Sequence, residues 1–88
     1  MGFAINTRKA HGVVIMDFSG RFTLGEPVSA FREALRLQME QGARMFVWNL
    51  EDLEFLDSAA LGMLVSQCTM LRSKGGDAKL VFRKEAEK

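Results

Sequence analysis

Apolar and polar residues alternate near the start of the chain. Phe3, Ile5 and Thr7 fall against Ala4, Asn6 and Arg8, the period of two that predicts a half-buried strand over residues 3–9. Ala10-His11-Gly12 reads as a tight turn. Residues 13–19, VVIMDFS, are a β-branched and aromatic run that predicts a second strand. The two strands together predict a β-hairpin. Gly20 to Pro27 reads as loop, and Pro27 suits the first turn of a helix, where its missing N–H is not needed. The spacing then changes to three and four: Val28, Phe31, Leu35 and Met39, with Ala34 beside them. That is one apolar stripe on a helix. Gln41-Gly42 ends it, with Gly42 suited to a left-handed cap.

Residues 44–50, RMFVWNL, are apolar at alternating and intervening positions: Phe46, Trp48 and Leu50 against Met45 and Val47. This predicts a central parallel strand buried on both faces. An acidic turn, Glu51-Asp52-Leu53-Glu54, leads through Phe55-Leu56 to Asp57, a good N-cap for a second helix. Leu61, Leu64, Val65, Cys68 and Leu71 give that helix a core stripe, and Gly75-Gly76 stop it. Met63, Ser66 and Met70 fall off the stripe; the methionines read mostly as core filler, with a partner-contact face as the sharper alternative for these three. Residues 78–82 predict a last strand, and residues 83–88 a polar tail. The expected fold is α/β, a mixed four-stranded sheet in the order β-β-α-β-α-β. Right-handed crossovers then place both helices on one face of the sheet.

The chain has 88 residues, which fits a single domain over 1–88. Twelve basic and eleven acidic residues leave a net charge of +1. Nucleic acid is thereby disfavoured, because phosphate binding needs a surplus of cations on one face. The single cysteine, Cys68, excludes an internal disulfide and a multi-cysteine zinc site, so no metal or cofactor is expected. It also fits a reducing compartment such as the cytoplasm. No apolar run approaches the ~18 residues that span a bilayer, so no membrane insertion is expected.

No catalytic constellation is visible. His11, the sole histidine, lies in a predicted turn. The Gly-x-Ser-x-Gly elbow is missing around Ser58, which has Leu56 and Ala60 at those places. The chain is therefore read as a binding protein and not an enzyme.

The stretch from Asn49 to Gly62, NLEDLEFLDSAALG, resembles the signature of the STAS-domain anti-sigma factor antagonists. In that family an apolar strand and an acidic turn lead to Asp-Ser-Ser/Ala-Gly-Leu-Gly at the start of a helix. Gly20 and Gly75-Gly76 also sit where the family has them, so the resemblance covers essentially the whole chain. It implies that Ser58 is the serine phosphorylated by a partner kinase, with Asp57 the acidic residue before it. The chain has Ala59 and Ala60 where the family often has Ser and Gly. It also has Thr23 where the family carries Asp. The resemblance implies a further C-terminal helix, which the sequence to Lys88, cut short or natively short, is expected to lack; part of one sheet face is then expected to lie uncovered, a route to homo-oligomers.

What the resemblance implies is a bacterial transcription regulator working by partner switching. Unphosphorylated, it binds an anti-sigma factor of the serine-kinase kind; phosphorylated on Ser58, it releases it; a protein phosphatase restores it. The expected contact surface is Thr23, Leu24, Asp52, Glu54, Asp57, Ser58, Ala59 and Gly62. The alternative is a constitutive STAS scaffold in a stress-signalling or lipid-transport complex.

Overall fold

The computed structural model describes residues 2–83. It contains β1 (Phe3–Ala10), β2 (Val13–Phe22), α1 (Glu26–Glu40), β3 (Met45–Leu56), α2 (Ser58–Ser73) and β4 (Asp77–Val81). The strands form one sheet in the order β1-β2-β3-β4. β1 pairs antiparallel with β2, while β2–β3 and β3–β4 are parallel. The expected element order and mixed sheet are both present. The polar tail, and anything the resemblance places after it, lies outside the described residues beyond Arg83.

The hairpin turns at His11 (φ 54°) and Gly12 (φ 81°). Two successive left-handed residues match the right-handed twist of the flanking strands. Both helices close in the same way. The N–H groups of Gly42 and Ala43 donate to the carbonyls of Met39 and Gln38, and those of Gly75 and Gly76 to Arg72 and Leu71. These paired bonds satisfy carbonyls that the last turn leaves open, and they place a left-handed residue just past each cap. Gly42 (φ 98°) and Gly75 (φ 85°) occupy those positions.

One face of the sheet is packed. Val14, Met16 and Phe18 of β2, Phe46, Trp48 and Leu50 of β3, and Ala78 of β4 are buried together with Phe31 and Leu35 of α1 and Leu64 and Leu71 of α2. Both helices therefore cover the same face, as the handedness rule requires. The Phe31 ring stands edge-on to Trp48 at 5.0 Å and meets Phe18 at 5.4 Å and Phe22 at 5.8 Å. Such ring pairs add about 0.5–1.5 kcal/mol each beyond the area they bury.

Several sequence expectations are corrected. The segment 20–22 is not loop. It continues β2, because Phe22 is fully buried and Gly20–Phe22 pair with β3. Gly20 (φ 88°) lies so close to the Gly2 carbonyl that a Cβ there would overlap it. β3 is covered on one face only: Met45 is 48% exposed, and Val47 is half-buried. The α2 core stripe is Ala60, Leu64, Cys68 and Leu71. Leu61 and Val65 face outward, at 38% and 55% exposure, while Met63 and Met70 pack against the core. The helix is apolar around most of its circumference, so spacing alone does not choose between two overlapping stripes.

The outer face carries a polar row across its centre. Arg8 Nε donates to Asp17 Oδ2 at 2.7 Å, and Asn49 Nδ2 donates to Asp17 Oδ1 at 2.8 Å. The Arg8 hydrogen bond, then that of Asn49, holds the Asp17 carboxyl below its ordinary value. The native pKa is thus below the unfolded one. The ionised carboxylate stabilises the fold above the unfolded pKa, and that contribution is lost as pH falls through the lowered native value. We expect Asp17→Asn to flatten the acid limb of a thermal-stability profile below about pH 4. An unchanged acid limb, measured by fluorescence of the single Trp48, would show that the row carries no linkage.

Candidate functional site

The site lies where β2 and β3 end and α2 begins. Its geometry depends on two irregularities in β3. In the register of β2 against β3, Asp17 faces Asn49, Ser19 faces Asp52, Gly20 faces Leu53, Arg21 faces Phe55 and Phe22 faces Leu56. β3 therefore holds one extra residue between Asn49 and Asp52, and another at Glu54. Each bulge shifts the alternation of faces by one. Leu53 and Leu56 can then point to the core with Gly20 and Phe22, and both pack against it. Asp52 and Phe55 take the outer face with Ser19 and Arg21. The acidic stretch is thus strand and not turn. A spacing of three between Leu50, Leu53 and Leu56 hides it from a search for period two.

Asp57 joins the two halves of the site. It sits in extended backbone (φ −87°, ψ 166°) at the N-cap of α2. Its Oδ1 accepts from the Ala60 N–H at 2.7 Å, satisfying a donor that the first turn leaves open. Its Oδ2 accepts from the Leu24 N–H at 3.3 Å, and its own N–H donates to the Phe22 carbonyl at 3.3 Å. One carboxylate therefore holds the loop after β2 against the start of α2. A cap was expected here, but the bond to Leu24 comes from a contact 33 residues away in sequence.

Ser58 is the first residue of α2 and is exposed. Ala59 and Gly62 are also exposed, and Leu24 is 65% exposed. Thr23 is half-buried beside it. Ala60 is fully buried, so its methyl group faces the core and not a partner. Asp52 and Glu54 are exposed, and no ion pair among the described residues involves either. They neighbour the helix start through the chain, without a hydrogen bond to it.

The structure adds residues that the sequence reading gave other roles. Leu61 and Val65 share a helix face with Ser58 and Gly62 at offsets of three, four and seven. The Arg21 guanidinium lies 4.4 Å from the centre of the Phe55 ring, which is itself 43% exposed. His11 is exposed at the far turn, and Cys68 is buried with its Sγ 3.4 Å from the Ala78 carbonyl oxygen. Neither reaches Ser58. Among the described residues, no group of three His, Cys, Asp or Glu side chains is placed to hold a metal ion, and no helix is long and apolar enough to cross a membrane.

A mixed four-stranded sheet with two helices, in β-β-α-β-α-β order, is the SpoIIAA-like fold. The STAS domain model matches residues 4–86, and the chain belongs to that family. A structure of an anti-sigma factor antagonist from Mycobacterium paratuberculosis superposes with a TM-score of 0.80, at 22% identity, over 94% of this chain and 69% of its own. The antagonist SpoIIAA in its unphosphorylated form gives 0.72, at 20% identity, over 96% of this chain and 90% of its own. The Bacillus cell fate determinant SpoIIAA in its phosphorylated form gives 0.69, at 23% identity, over 85% and 68%. At these identities the likeness is one of fold. No curated protein matches the sequence at a significant level.

Replacing Asp57 removes the cap and the bond to Leu24 together. Asp57→Ala should lower stability by about 1 kcal/mol, within the 0.5–2 range of lost N-caps. It should also speed amide exchange at both Leu24 and Ala60. Faster exchange at Ala60 alone would show that the carboxylate does not restrain the loop.

Proposed function

We propose that this STAS domain is an anti-sigma factor antagonist, a protein-binding switch controlled by phosphorylation of Ser58. The observation that carries this reading is the exposed Ser58 at the head of α2, flanked by Leu24, Leu61, Gly62 and Val65 on the surface. Unphosphorylated, the domain binds an anti-sigma factor of the serine-kinase type. Phosphorylated, it lets go, and a protein phosphatase resets it. This is the work of a bacterial transcription regulator in the cytoplasm, and of a binding module and not a catalyst. SpoIIAA, a structural neighbour, is known in both unphosphorylated and phosphorylated forms.

The physics favours a local block over a refolding. A phosphate adds about −1.5 to −2 charges at neutral pH. At the head of α2 it gains about 0.3–1 kcal/mol from the helix dipole, opposed by repulsion from Asp57 next in the chain. The free fold therefore changes little. Bringing the same charge into an interface lined by Leu24, Leu61 and Val65 costs several kcal/mol unless arginines meet it, and each ~1.4 kcal/mol is tenfold in affinity. The contact surface is Thr23, Leu24, Asp57, Ser58, Ala59 and Gly62, extended by Leu61 and Val65. Asp52 and Glu54 add negative charge alongside, suited to a basic patch on the partner.

The alternative, a constitutive scaffold in a stress-signalling or lipid-transport complex, draws on the open outer sheet face, where Met45 and Val81 are exposed beside half-buried Ile15 and Val47. Incubation with the cognate kinase and ATP, read by intact mass, separates the two. A single phosphate on Ser58, absent in Ser58→Ala, is the expected result. Ser58→Glu should reduce partner affinity by at least about tenfold while amide shifts stay confined to the helix start. No phosphate, or unchanged affinity with glutamate, favours the scaffold.

Gly62 supplies a second test. A Cβ built there meets nothing within 4 Å, and alanine suits a helix interior better than glycine by about 0.5–1 kcal/mol. Gly62→Ala should thus stabilise the free domain yet weaken partner binding. A variant both more stable and equally well bound would place Gly62 outside the interface.

A further inference from the structure

α1 and α2 cover the same sheet face, but an open groove of about 600 Å³, lined from Ser29 to Glu40 on α1 and from Gln67 to Lys74 at the end of α2, lies between them. Its floor is apolar. Leu35 is buried there, and Met39 and Met70 pack on the core from either side. Its rim is charged, with Arg32, Arg36, Arg44 and Lys74 set against only two carboxylates, Glu33 and Glu40. Both carboxylates already pair with Arg36. Arg44 turns inward and donates to the Met39 and Ala43 carbonyls. Arg32 on α1 and Lys74 at the C-cap of α2 are exposed and have no acidic partner among the described residues. The whole chain carries only +1, so the surplus is local to this groove.

We propose that the groove docks an acidic amphipathic helix from a partner protein, on a surface separate from the Ser58 face. Met70 lies twelve positions beyond Ser58 on α2, about 18 Å along the helix axis. Three features favour a helix as the occupant. The walls are themselves two helices, and a third can seat its apolar ridge between them. Met39 and Met70, both half-buried, present apolar surface from opposite walls, where the stripe of a docked helix would lie. Methionine side chains adapt their shape to an incoming helix. The charges set the sign: Arg32 on one wall and Lys74 on the other would flank an apolar stripe bordered by Glu or Asp. A small anion would need convergent buried donors, whereas here the uncommitted cations stand at the rim.

The test uses two synthetic helical peptides with the same leucine stripe, one bordered by glutamates and the other by lysines. Methyl NMR of Met39 and Met70 reads binding. The acidic peptide should shift both methyl groups and bind at least about tenfold more tightly than the basic one, with the difference shrinking in high salt. The double variant Arg32→Glu, Lys74→Glu should reverse that preference. Both replaced side chains are exposed, and Trp48 fluorescence checks the fold; Arg32→Ala, Lys74→Ala serves if charge reversal perturbs it, and should abolish the preference. The proposal is overturned by silent Met39 and Met70 methyl groups, by equal binding of the two peptides, or by shifts confined to Leu24, Leu61 and Val65. It is equally overturned if a fatty-acid anion such as laurate moves the two methionines and the acidic peptide does not.

Discussion

The ring of Phe31, held between Phe18 and Phe22 of β2 and Trp48 of β3, is the contact around which this small domain is arranged. Phe31 is fully buried, as are Phe18, Phe22 and Trp48 to within 1%. Burying side chains of this size gains about 1.5–3 kcal/mol each. Because the helices lie on one face only, nearly all of that gain comes from a single layer between sheet and helices. α1 fastens the hairpin side of the layer, and α2 closes the β4 side with Leu64 and Leu71. The outer face contributes little burial, and its central polar row from Arg8 through Asp17 to Asn49 is hydrogen-bonded within itself.

The same aromatic layer positions the functional end. Phe22 is drawn into the core, which carries β2 three residues past the expected strand end and delivers Thr23 and Leu24 to the head of α2. The two bulges in β3 turn Leu53 and Leu56 inward against Gly20 and Phe22. The acidic side chains are left outside, and the strand ends at Leu56, just before Asp57. The Asp57 carboxylate bonds both to Ala60 in α2 and to Leu24 in the loop. Ser58 is thus held at the surface by a rigid strand end on one side and a capped helix on the other.

α2 presents two stripes with different tasks. Ala60, Leu64, Cys68 and Leu71 bind it to the sheet. Ser58, Leu61, Gly62 and Val65 look outward. Farther along, Met70 turns toward α1 and forms one wall of the cationic groove. One helix thereby serves the core and borders two separate surfaces, and an apolar composition around most of its circumference is the consequence.

Much of this was legible along the chain. Period-two alternation marked the hairpin, three-and-four spacing marked α1, and Pro27, Gly42, Asp57 and Gly75 marked the helix ends. These are short-range properties, decided by backbone sterics and by which face an amphipathic segment must hide. The resemblance of residues 49–62 singled out Ser58, which lies exposed in the first turn of α2. What only the tertiary structure decided was every choice between two locally acceptable answers. These were the stripe of α2 that goes inward, whether residues 20–22 and 51–56 pair as strand, and which backbone group Asp57 reaches beyond its own helix. Each depends on partners far away in sequence: the Phe22–Leu56 register, the Gly2 carbonyl over Gly20, and the Leu24 N–H. Local spacing carries no information about such partners until the chain has closed on itself.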